Sequence, residues 1–129
     1  MSDNRKQIDL AKDTLKVFSE RGEDMSDVRH VVHYSYGGNF HALGSSLAEL
    51  GYSVRPTVNS DGIIAERHEA IGDEWRTTTL SHLCELADTY NVEYDGWEAS
   101  MTRHQPRPAN APQRNQRVSL LSRIFGRKH

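Results

Sequence analysis

The chain of 129 residues holds a single cysteine, Cys84, so no disulfide can close within it. No run approaches the roughly 18–20 consecutive apolar residues of a membrane span. The opening stretch, MSDNRKQIDLAKD, is charged from the start and lacks the apolar core of a secretory signal. These absences predict a protein of the reducing cytoplasm that is not integral to a membrane. A further absence divides the molecule. Residues 102–129 contain 7 Lys+Arg and no acid, a net of +7, whereas residues 1–101 contain 9 Lys+Arg against 18 Asp+Glu, a net of −9. The two sum to the −2 of the whole chain. An acidic domain therefore carries a basic tail with its own electrostatic role.

What is present predicts one modest core, since apolar residues make up 36% and charged residues 26%. Ile8, Ala11, Leu15 and Phe18 recur at helical spacing between Arg5 and Arg21, with Gly22 as the stop. Val28–Tyr36 alternates as a strand. Val28, Val32, Tyr34 and Tyr36 share one face, and Val31 shares the other with Arg29, His33 and Ser35. Asn39 is placed to cap a helix over Phe40–Leu50, closed by Gly51. Tyr52–Val58 and Ile63–Ala70 read as a hairpin around Asn59-Ser60-Asp61-Gly62. Asp73 is placed to cap a third helix to about Tyr90, and Val92–Met101 reads as the last strand.

The order helix, then β-α-β-β-α-β, predicts an α+β ferredoxin-like sandwich with an extra N-terminal helix. Its four-stranded antiparallel sheet should run in spatial order 4-1-3-2, with the second and third helices on one face. After residue 101, Pro106, Pro108 and Pro112 mark residues 102–117 as a linker. Residues 118–129 read as a short basic amphipathic helix. There Val118, Leu121, Ile124 and Phe125 form the apolar side, and Arg117, Arg123, Arg127 and Lys128 reach anions. So short a helix orders only on a surface: RNA, an anionic membrane, a partner groove or the acidic domain itself.

Three segments carry a resemblance. They are Leu47-Ala48-Glu49-Leu50-Gly51-Tyr52, Ala65-Glu66-Arg67-His68 and Val92-Glu93-Tyr94-Asp95-Gly96-Trp97-Glu98. Together they resemble the regulator of ribonuclease E activity B family, inhibitors in bacterial RNA turnover. The Tyr-Asp-Gly-Trp-Glu run is the most recognisable part. The resemblance spans roughly residues 5–101, and the tail has no counterpart in it. It implies a ferredoxin-like fold. It also implies a non-catalytic regulator that binds the scaffold region of ribonuclease E and alters which RNAs are cut. No catalytic residue and no cofactor come with it.

Chemistry suggests where such a partner would sit. Asp95 and Glu98 beside the rings of Tyr94 and Trp97, with Glu66 on the neighbouring hairpin, suit an arginine-rich segment. On the plainer reading, Gly96 marks a bulge while Tyr94 and Trp97 fill the core. The seven histidines suggest metal, yet His30 and His33 face opposite sides of a strand. His33, Glu66 and His68 would converge only in one register, and no zinc spacing is present, so no metal is expected. Cys84 reads as inert packing, Gly37-Gly38-Asn39 as a turn and cap, and Ser45 and Ser46 as helical residues outside any nucleophile elbow. The second functional reading is an adaptor whose basic tail contacts RNA, an anionic membrane or another protein. The net −9 of the domain argues against RNA on the sheet itself.

Overall fold

The computed structural model describes residues 3–58, 61–101 and the backbone of 117–118. The centre of the hairpin turn, residues 59–60, and the rest of the linker and tail lie outside them. So do the tail contacts at Arg123, Phe125, Arg127 and Lys128 and the side chain of Arg117. A 3-10 turn, Asp3–Arg5, opens into α1, Lys6–Glu20. There follow β1 (Val28–Tyr36), α2 (Phe40–Glu49), β2 (Ser53–Pro56) and β3 (Gly62–Ala70). Helix α3 is built of three successive pieces: Asp73–Trp75, a π-helical Arg76–Leu80, and Ser81–Thr89. Strand β4 (Glu93–Ser100) and a short β5 (Arg117–Val118) complete the chain.

The fold is α+β, with three helices and four principal antiparallel strands. The sheet order is β2-β3-β1-β4-β5, with every neighbouring pair antiparallel. In α1, Ala11, Thr14, Leu15 and Phe18 make the buried stripe, and Gly22 at φ +86° turns the chain off the helix. Asn39 caps α2, its side chain accepting from the Ala42 N–H at 3.3 Å. Two boundaries differ from the sequence reading. Tyr52 is buried in the core outside β2, and Val118 sits in a strand where a helix is predicted. Gly72, rather than Asp73, occupies the cap position of α3. Asp73 instead accepts from Arg76 Nε at 3.0 Å.

The helices cover the less apolar face of β1. Arg29, Val31, His33 and Ser35 are all buried beneath them; on the other face Val28 is 60% exposed, while Val32 is buried between its neighbours. Phe18 of α1 stands 6.4 Å from Trp97 between ring centroids, and Trp75 of α3 meets Trp97 edge-on at 5.0 Å. Leu43 and Leu47 of α2 and Leu80 and Leu83 of α3 join the same core. Burial of Arg29 is tolerable because its charge is matched. Its guanidinium donates to Glu23 Oε1 at 2.6 Å and to the Asp24 carbonyl at 2.7 Å, and lies 5.4 Å above the Phe18 ring.

The outer edge of β4 is closed at both ends. The Asn4 side chain donates to the Val92 carbonyl and accepts from the Tyr94 N–H, both at 2.8 Å, so an amide side chain replaces a strand's peptide group. At the far end β5 pairs with Ala99 and Ser100. Among the described residues, no helix is long and apolar enough to cross a membrane.

Candidate functional site

The register of the sheet places residues in rows across its open face, the one opposite the helices. One row is Ser53, Glu66, Val32 and Glu98; the next is Arg55, Ile64, Tyr34 and Gly96. His30 pairs with His68, and Tyr36 pairs with Gly62 on one side and Glu93 on the other. Glu66 and Glu98 thus flank Val32, about 10 Å apart at the usual strand spacing. Among the described side chains, the face carries three carboxylates, Glu66, Glu93 and Glu98, and the guanidinium of Arg55.

These side chains are tied to one another. Glu66 Oε2 accepts from Arg55 Nε at 2.8 Å, and Glu66 Oε1 lies 2.7 Å from His30 Nε2. Burial pushes the Glu66 carboxyl up, but the hydrogen bonds and charges of Arg55 and His30 outweigh it. The group is held below the ordinary carboxylate range. Tyr34 donates to Glu98 Oε1 at 3.1 Å. The His30 and His68 rings lie 5.5 Å apart between centroids.

The Tyr94–Glu98 run divides between the two sides of the sheet. Tyr94 and Trp97 are 3% and 1% exposed, which corrects their assignment as partner-binding residues: neither ring has a surface to offer. The physical reason is a β-bulge. The β1–β4 register shifts between Tyr34 and Ser35, so that Asp95 is the extra residue of β4, and Gly96 takes φ +114°. The bulge lets Tyr94 and Trp97 both reach the core while Glu98 stays on the open face. Asp95 is half-buried in the bulge itself.

His33 does not meet Glu66 and His68, because it faces the helices. It joins a buried polar centre that the sequence alone leaves hidden. Glu69 Oε2 accepts from His33 Nε2 at 3.0 Å. Glu69 Oε1 accepts from Trp75 Nε1 at 2.8 Å, Tyr52 OH at 3.2 Å and Arg67 at 3.3 Å. Tyr94 OH is hydrogen-bonded to His33 Nδ1 at 2.7 Å. Burial pushes the Glu69 carboxyl up, but His33, Trp75 and Arg67 together bring it below the ordinary range. Burial likewise raises both tyrosines, Tyr52 and Tyr94. Arg67 also stacks 4.0 Å over the Tyr52 ring and donates to the Leu50 carbonyl at 2.7 Å. A cleft of about 520 Å³ opens beside Arg67, Glu69, Trp75 and Thr78.

This centre is engaged internally. Four donors converge on one carboxylate, three on Oε1 and one on Oε2. Cys84 is buried, donates to the Asn4 carbonyl at 3.2 Å, and is pushed up to about 12 by burial. Gly37 and Gly38 have positive φ and form a turn before the Asn39 cap, and Ser46 lies 2.8 Å from Tyr90 OH. Among the described residues, no group of three or more His, Cys, Asp or Glu could hold a metal ion. A comparison with known protein families and with curated proteins finds no match for this chain.

Proposed function

We propose that this chain is a non-catalytic, protein-binding regulator with a ferredoxin-like fold that acts in the cytoplasm. It resembles the inhibitors of ribonuclease E and modulates RNA turnover by binding a basic segment of its partner. The observation that carries this reading is the open-face row in which Glu66 and Glu98 flank Val32. Two carboxylates on a rigid sheet, bordered by Tyr34 and Tyr36, suit a segment with spaced arginines. Complementary charge sets the association rate and makes it fall with salt. The Glu69 carboxylate is taken up by four donors of the interior, which supports a structural use of that centre and a role without catalysis. The partner surface is accordingly Glu66, Glu98 and Asp95, with Glu93 beside them.

The test is calorimetric titration with the scaffold region of ribonuclease E from the source organism, at low and moderate salt. Binding should weaken with salt. Replacing Asp95 by Asn and Glu98 by Gln should weaken it about tenfold or more while the thermal midpoint stays put. Salt-insensitive binding that the double variant does not alter would overturn the electrostatic mechanism. No binding at all would remove this partner.

A further inference from the structure

We infer that the C-terminal segment of this same chain, residues 102–129, docks along β4 and across the open sheet face, where it competes with the basic partner. The competition rests on the reading just given; the docking does not.

Backbone pairing starts the argument. Arg117 and Val118 lie opposite Ser100 and Ala99, antiparallel to β4. Chain continuing beyond Val118 in that direction runs back along β4, past Glu98 towards Glu93. Asn4 closes this edge only at Val92 and Tyr94, so the stretch between Tyr94 and Ala99 is where β5 would lengthen. Eleven residues follow Val118 (129 − 118). Extended, they span about 36 Å, more than the eight residues of β4 require.

Charge and composition agree with that path. Residues 102–129 supply seven cations and no acid, and the open face offers Glu66, Glu93 and Glu98 against Arg55. Leu120, Leu121, Ile124 and Phe125 interleave those cations, and the face offers half-buried Ile64, Tyr34 and Tyr36 between its carboxylates. The tether is short. Fifteen residues join Met101 to Arg117, so closing the loop is cheap and the tail's local concentration is of millimolar order. A partner must displace a segment that is already there.

The full-length chain tests this without any partner. A nitroxide is attached at Ser122→Cys; buried Cys84 stays unlabelled. The amide signals of Glu93, Glu98 and Tyr34 should be strongly broadened, while those of Ala48 and Leu86 on the helices keep their intensity. Moderate salt should reverse the effect, as should a full-length variant with Arg117, Arg123, Arg127 and Lys128 all replaced by Glu. Undiminished sheet signals, or broadening spread evenly over both faces, would overturn the docking. Broadening that vanishes on dilution, or that passes from labelled to isotope-enriched unlabelled chains, would assign the contact to a second copy and overturn it too. An arginine-rich peptide then probes the competition. It should bind the charge-reversed variant about tenfold or more tighter than the native chain. Equal affinity would overturn the competition. Failure to bind either chain while the broadening persists would remove the partner reading and leave the docking intact.

Discussion

Glu69 is the residue on which the interior depends most. Its carboxylate receives His33, Trp75, Tyr52 and Arg67, and each bond to a charged acceptor contributes about 1.5–3 kcal/mol where neutral bonds contribute about half that. Glu69→Gln keeps the shape but puts a donor where acceptors are needed. It should cost about 2–4 kcal/mol in urea unfolding at neutral pH. The folded carboxyl titrates below its ordinary 4.5, so its contribution is complete above that pH and is lost as pH falls through the lower, folded value. Unfolding measured from pH 6 to pH 3 should therefore show a shallower acid limb in Glu69→Gln than in the native chain. Tyr94→Phe is a second, sharper test. Because the ring is buried and its hydroxyl serves His33, the change should cost about 1–3 kcal/mol. Partner affinity should not change. An affinity loss without a stability loss would return Tyr94 to the surface.

At the scale of elements, the apolar rhythm of the sequence is enough to read three helices and four strands. It is not enough to read which side of β1 the helices cover. Val28, Val32, Tyr34 and Tyr36 form the more apolar face, yet the helices cover Arg29, Val31, His33 and Ser35. The polar members of that face are buried because they find partners: Glu23, in the loop just before β1, for Arg29, and Glu69 and Tyr94, from distant positions, for His33; none of these pairings leaves a periodic mark. Gly96 did mark the bulge in the sequence, and with it the burial of Tyr94 and Trp97. Of the candidate site, Glu66, Asp95 and Glu98 were legible as carboxylates on strands, whereas the rows that group them depend on register. The edge function of Asn4 was not legible at all, since one side chain satisfies two backbone groups some 90 positions away. Asn4→Ala should leave the Tyr94 N–H and Val92 carbonyl without partners and cost about 1–3 kcal/mol. It should also open that edge, so sedimentation at rising concentration should show self-association that the native chain lacks.

For the whole molecule, the decisive quantity is the division of charge, −9 on residues 1–101 and +7 on residues 102–129. Attraction between the two parts is strong at low ionic strength and screened beyond about 10 Å at 0.1 M salt. The radius of gyration from small-angle scattering should therefore grow as salt rises, while the far-ultraviolet circular dichroism of the domain stays constant. A radius independent of salt would mean that the two charges ignore each other.

Cys84 gives this architecture a chemical clock. Its sulfur meets the Asn4 carbonyl, so the only thiol lies where the N-terminal turn, α3 and β4 are joined. At pH 8 a thiol held at about 12 is ionised in only about one molecule in 10⁴, and its burial blocks reagent as well. Modification by a disulfide reagent must then wait for this junction to open, and its rate reports how often the N-terminus lets go. In Asn4→Ala the same thiol should react faster by the factor that the junction's free energy dictates, about tenfold for each 1.4 kcal/mol. The chain thus carries its own label for local unfolding at the place where its N-terminal turn is fastened to its last long strand.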